Sequence, residues 1–309
     1  MVARVSTSGN YSAILANLLE AQQRQVNAGN RVSTQKNGTN LKEYANNAET
    51  LTAMKSVDRR ITNYQDVNGQ IAAKLITQDG ALSQVADAAT AVRQAITDAL
   101  ATDRADTLMQ ELQGQFQNAV NGLNAKYDGK YLFAGGQINT QPVTAKALTD
   151  LTSGPPIPSF FKDDSFKVQA KLDDSTTVTT GVLATTVGTN MLTAFQTIQA
   201  FQESPAGPFT GQLTAAQRTF LETQLATWDA IRGTTTTITA QNGMVQKQVD
   251  TAKANLVTQQ NTLSAMIGGV TDADMAKAAT DLSNADLAVK ASAQVLVALR
   301  DSSLLSLLR

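Results

Sequence analysis

The 309-residue chain has no cysteine and no histidine. Without cysteine there is no disulfide, no thiolate nucleophile, no iron–sulfur cluster and no cysteine-built zinc site. Without histidine the usual general base near neutral pH and the commonest transition-metal ligand are missing, which excludes a serine hydrolase with a histidine base. Charge is also scarce. Charged residues make up 17% of the chain, against roughly 25% in an average globular protein. The formal net charge of -1 argues against a protein that grips nucleic acid. No apolar run reaches the roughly 18 to 20 residues of a spanning helix, so no membrane insertion is expected. The start, Met1 to Thr7, lacks the apolar core of a cleavable signal, so conventional cleavable export is not expected.

Proline is confined to one region: all six prolines lie from Pro142 to Pro208. Proline costs about 3 kcal/mol inside a helix, so the proline-free flanks can carry long helices and the middle cannot. Aromatics, at 5%, are too few for an all-β protein.

What is present is helical periodicity. Tyr11, Leu15, Leu18, Gln22 and Val26, widened by Ile14 and Leu19, predict an amphipathic first helix weakening near Gly29, followed by a loop over 33–40. Asn40 with Glu43 has the spacing of a capping box for the next helix. From Leu41 to about Ala101, the residues Leu51, Met54, Ile61, Tyr64, Ile71, Leu75, Leu82, Val85, Val92 and Ile96 keep a helical repeat. About 60 residues of helix would span roughly 90 Å, the length of a coiled-coil rod. A further helix over about 104–126 ends at the turn signal Asp128-Gly129.

The middle reads differently. Phe166 to Leu172 alternates apolar and polar, Asp173-Asp174-Ser175 is a turn, and Thr176 to Val182 is β-branched, so a small β-rich insert over 141–187 is expected. Helix resumes near Gly188, breaks over 204–211, and continues from Thr214. Thr234 to Thr237 is a weak helix former, and Gly268-Gly269 marks an expected joint. Thr271 and Asp274 can cap the last helix, in which Met275, Leu282, Val289 and Leu296 recur every seven residues, the spacing of a coiled-coil seam. The chain ends with Leu304, Leu305, Leu307 and Leu308, an apolar patch of the kind that marks an interaction surface. The fold class that follows is mainly α: an elongated antiparallel helical hairpin or coiled-coil rod formed by both chain ends, with a small β-rich insert between. Segments 1–44 and 267–309 would form a terminal coiled-coil domain, 45–140 and 188–266 a helical rod, and 141–187 an outer insert.

Candidate chemistry is thin. Asp163-Asp164 and Asp173-Asp174 are read as solvated turn residues, and Asp272 and Asp274 as helix-start residues. Gly135-Gly136 lacks the spacing and lysine of a phosphate loop. Arg59-Arg60 is too small a basic spot for a nucleic-acid footprint. No catalytic, metal or cofactor site is expected, and no enzyme activity.

Three stretches carry a resemblance. Ala28 to Thr34 is similar to the N-terminal region of the flagellin superfamily. Leu123 to Gly136, through Asn124, Tyr127, Gly129, Tyr131, Phe133 and Gly135, resembles the signature of its hook-associated branch, the proteins that join filament to hook. Asp272 to Ala276, with Leu282 and the Leu-rich end, is similar to the flagellin C-terminal helix. The resemblance implies a structural subunit of the bacterial flagellum at the hook–filament junction. It further implies helical self-assembly into a ring or tube, with an adjacent hook-associated protein and flagellin as neighbours. A cytosolic export chaperone would cover the C-terminal helix, and the flagellar type III apparatus would secrete the chain to the extracellular flagellum. Ile14, Leu15, Leu18, Val26, Met275, Leu282, Val289, Leu296, Leu304 and Leu308 are the candidate coiled-coil and assembly contacts. The Leu-rich ending is also flagellin-like, so a filament subunit stands as the alternative, with a ligand-binding surface on the insert as a third reading.

Overall fold

The computed structural model describes residues 3–305, with side chains at 9 and 11–299. The chain divides into two compact units, residues 1–60 with 258–309, and residues 61–257.

In the first unit, helix α1 (Ala3–Thr34) packs along α7 (Met275–Leu305). Between them lie a single 3₁₀ turn (Leu41–Tyr44) and parts of two longer helices, α2 (Ala48–Thr102) and α6 (Ala215–Thr271). Two loops meet here. Asn37 N–H donates to the Thr271 carbonyl (2.8 Å) and Ala273 N–H to the Gln35 carbonyl (2.9 Å). Gly268-Gly269 does not interrupt α6, which continues to Thr271; the break falls at Asp272–Asp274. Asp274 caps α7 by accepting from the amides of Ala276 (2.9 Å) and Lys277 (3.1 Å), while Thr271 instead bonds Asp272. The Asn40–Glu43 pair forms, but as a side-chain bond (2.6 Å) within the 3₁₀ turn and not as a capping box. Glu43 accepts from the Thr39 amide with its other oxygen (2.8 Å), and helix α2 starts at Ala48.

The second unit contains α3 (Leu108–Leu123), α5 (Ala184–Gln202) and the adjoining lengths of α2 and α6. Its core is a seam of three-and-four spacing. Helix α6 buries Leu221, Gln224, Trp228, Ile231, Thr235, Ile238, Asn242, Val249, Ala252 and Leu256. Phe195 stands edge-on to Trp228 (4.8 Å) and to Phe116 (5.4 Å), the favoured aromatic geometry. The four-threonine run stays helical because each hydroxyl donates to the carbonyl four residues earlier, Thr234 to Ala230 through Thr237 to Gly233. That back-bonding satisfies the hydroxyls without leaving the helix.

The insert carries less strand than its alternation predicts. Helix α4 (Asp150–Ser153) is one turn, and β3 (Gln169–Lys171) pairs antiparallel with β4 (Thr177–Thr179). Phe166, expected to begin the strand, is exposed outside it. The insert has no core of its own: Val143, Leu148, Leu151, Ile157, Phe160 and Phe161 join the main core, and Leu172 and Val178 pack with Leu75, Val249 and Ala252.

Candidate assembly surface

Within α1 the residues turned toward α7 are Ile14, Leu18, Ala21, Gln25, Ala28 and Val32, spaced alternately by four and three. That is the 3.5-residue repeat of a coiled coil. On α7 the buried positions are Ala278 and Ala285, seven apart. Small residues at the seam let the helices approach closely. Gln25 Nε2 donates to Asp286, and Arg31 lies 3.9 Å from Asp281.

The intramolecular seam therefore covers only part of the apolar side chains that α1 and α7 carry. Of the candidate contacts, Ile14 and Leu18 lie in it on α1, and Leu282, Val289 and Leu296, half-buried, alternate with Ala278 and Ala285 in it on α7. Leu15 (40%), Val26 (55%) and Met275 (40%) are exposed. Leu304 belongs to α7 by its backbone, but its side chain, like all of Leu308, lies outside the described residues. Tyr11, Leu19, Leu287, Val295 and Val297 are exposed as well. At the helical rotation of 100° per residue, Tyr11, Leu15, Leu19 and Val26 form one stripe beside the α1 seam. The periodic set Tyr11, Leu15, Leu18, Gln22 and Val26, widened by Ile14 and Leu19, spans both faces: Ile14 and Leu18 are in the seam, and Tyr11, Leu15, Leu19 and Val26 are in the exposed stripe. The alanines of the seam were missed, because alanine gives a weak apolar signal beside leucine.

The signature segment has a different character. Strands β1 (Lys126–Tyr127) and β2 (Lys130–Tyr131) form a two-residue hairpin whose tip, Asp128 (φ 49°) and Gly129 (φ 73°), takes the left-handed conformation such a turn demands. Asn124 closes α3 by pairing its side-chain amide with the Val143 backbone, accepting from Val143 N–H and donating to Val143 C=O, both at 2.9 Å. Tyr127 packs against the core, Lys126 Nζ lies 4.4 Å over the Tyr131 ring, and Phe133 is fully buried. Gly135 has φ 66°, and a Cβ there would collide with Asp164 Oδ1. Asp164 accepts from the Gly136 amide (2.8 Å) and the Phe166 amide (2.9 Å). The signature thus ties the insert to the helices; it is not itself a free surface.

The acidic pairs are engaged by backbone amides and side-chain hydroxyls. The Gly136 and Phe166 amides hold the Asp164 carboxyl below its ordinary range, and the Ser175 amide does the same for Asp173. Asp163 accepts from Thr185 Oγ1 (2.6 Å), and Asp174 from Tyr64 OH (3.0 Å). Among the described residues no group of three or more acidic side chains could hold a metal ion, and no helix is long and apolar enough to cross a membrane.

Comparison with known families decides the identity. Residues 5–138 match the family model of the bacterial flagellin N-terminal helical region, and residues 225–308 that of the flagellin C-terminal helical region. The chain belongs to the bacterial flagellin superfamily. It is accordingly a structural protein of the flagellum. The two flagellin models leave the insert uncovered. No curated protein matches the sequence. Among solved structures, one from Vibrio parahaemolyticus described as a flagellar hook-associated protein has a TM-score of 0.59 at 14% identity, covering 72% of this chain and 96% of that one. Bacillus cereus FlgL gives a TM-score of 0.54 at 14% identity, covering 70% and 99%. At this identity the likeness is one of fold.

Proposed function

We propose that this flagellin-superfamily chain is a subunit of the hook–filament junction that assembles helically through the outer faces of α1 and α7. The observation that carries the reading is the apolar stripe left uncovered when α1 and α7 pack on each other. Leu19, Leu287 and Val297 are each more than half exposed, a cost that further copies of the chain would remove by burying them. A contact between unlike faces repeats without closing on a dimer, which builds a ring or tube. Of the candidate contacts, Leu15, Val26 and Met275 are assigned to the outer faces, Ile14, Leu18, Leu282, Val289 and Leu296 to the coiled-coil seam that presents those faces, and Leu304 and Leu308 to assembly, within terminal segments 1–44 and 267–309.

The junction position is supported by the signature segment and by the fold likeness to the Vibrio parahaemolyticus structure described as a flagellar hook-associated protein. An adjacent hook-associated protein and flagellin are the proposed neighbours, in the extracellular flagellum after type III export. A cytosolic chaperone covering α7 beforehand would keep its apolar faces from polymerising early. The role is structural, not enzymatic, in keeping with a chain whose paired carboxylates are engaged in turns. A filament subunit is the second reading, favoured by the flagellin models matching both ends of the chain. The test is substitution of the stripe. Leu15→Asp and Leu287→Asp should abolish assembly of the purified protein while leaving Trp228 emission unchanged; normal assembly by both variants would overturn the reading.

A further inference from the structure

The apolar repeat of α2 is interrupted at two seam positions, Asn68 and Gln78, and that of α6 at Asn242. All three side chains are buried, at 0%, 1% and 3% exposure. Their hydrogen bonds converge on the β3–β4 hairpin and on each other. Asn68 Nδ2 donates to the Leu172 carbonyl (2.9 Å), where β3 ends. Gln78 Nε2 donates both to the Thr180 carbonyl, just after β4 (3.2 Å), and to Asn242 Oδ1 on α6 (2.9 Å). Asn242 Nδ2 and Gln246 Nε2 return to the Leu75 carbonyl, each at 3.1 Å. Between these ties Leu172 and Val178 close a small cluster with Leu75, Val249 and Ala252, which come from both long helices.

We propose that the β3–β4 hairpin is a clasp that fixes the register of α2 against α6, with the Gln78–Asn242 carboxamide pair as its pin. Stability alone does not account for these residues. Asn68 Oδ1 and Gln78 Oε1 are buried and accept no hydrogen bond, so each position costs stability that an apolar residue would not. A buried carboxamide in a helical seam is instead a register device: slipping either helix by one turn strands it without a partner. The hairpin adds a second reader of the same register, because it meets α2 at both Asn68 and Gln78. It lies outside both flagellin models, which end at residue 138 and resume at 225, so the clasp belongs to this chain's own insert.

The absence of cysteine makes the test direct. Ile76 (64%) and Met244 (61%) are exposed on the two helices, and Ile76→Cys with Met244→Cys gives two sites for spin labels. In the otherwise unchanged chain the interspin distance should form one narrow distribution. Gln78→Leu with Asn242→Leu should broaden or split it while the thermal midpoint holds or rises. A separate variant, Leu172→Asp, should raise amide exchange about tenfold over 64–79 and 242–252 with Trp228 emission unchanged. An unaltered distance distribution in the Leu pair would overturn the pin, and unaltered exchange in Leu172→Asp would overturn the clasp. If Leu172→Asp fails to fold, the Leu pair still decides the pin.

Discussion

Asn124 offers the most specific test of how the signature works. Among the described residues its side chain is the one acceptor for Val143 N–H, whereas the Val143 carbonyl also receives Gln141 Nε2 at 2.9 Å. Asn124→Ala therefore strands one backbone donor and leaves the carbonyl with a remaining partner. A buried unsatisfied amide costs about 1–3 kcal/mol, so the substitution should destabilise the second unit by about 2 kcal/mol. Gln141→Ala alone should cost under about 0.5 kcal/mol, since Asn124 still serves that carbonyl. The double variant strands both groups and should exceed the sum of the singles by about 1 kcal/mol. Urea unfolding followed by the emission of Trp228, the single tryptophan, measures all three. Strict additivity, or a cost for Asn124→Ala below about 0.5 kcal/mol, would refute the shared-carbonyl argument.

Other predictions follow from the same geometry. Phe195→Ala removes a fully buried ring touching Phe116 and Trp228 and should cost about 4 kcal/mol in urea unfolding, with a red shift of Trp228 emission. Asp274→Ala deletes the α7 cap and should cost about 1 kcal/mol, read as fraying of residues 275–278 by amide exchange. Asp103 is held below 3.8 by Gln212 and then Arg218, and Asp106 by Arg104 and then the Gly211 amide. Groups with depressed pKa values stabilise the fold above about pH 4, and that contribution disappears as pH falls through their folded values. The urea midpoint should therefore be flat from pH 7 to about 5 and fall below about 4, and Asp103→Asn should flatten the acid limb.

Much of the fold was readable because leucine, isoleucine and valine mark seam positions strongly. The repeat from Leu51 to Ile96 on α2 lies on the buried side, and Asp128-Gly129 forms the turn its composition demands. What escaped reading was carried by side chains with little apolar signal. Ala21, Ala28, Ala278 and Ala285 are the most buried residues of the α1–α7 seam, between Ile14, Leu18, Leu282, Val289 and Leu296, and alanine gives too little apolar signal to mark them. Asn68, Gln78 and Asn242 are buried polar positions of the helical repeats, and a reading by apolar periodicity has no signal for them. The break after α6 was placed at a glycine pair, yet helix termination there is decided by the paired loops and the Asp274 cap. The alternation over Phe166–Leu172 promised more strand than forms, because the insert takes its stability from docking onto the helices and needs only three residue pairs of ladder.

Electron microscopy of the source bacterium deleted for this gene and complemented with Leu296→Asp or the unchanged chain, with flagellin assayed in the medium, tests the central claim most directly. The junction account predicts hooks without filaments and flagellin released to the medium in the deletion and in Leu296→Asp, with filaments restored by the unchanged chain. Filaments of normal length and number in the deletion strain would contradict it, and shortened or absent filaments above an intact junction layer would assign the chain to the filament instead.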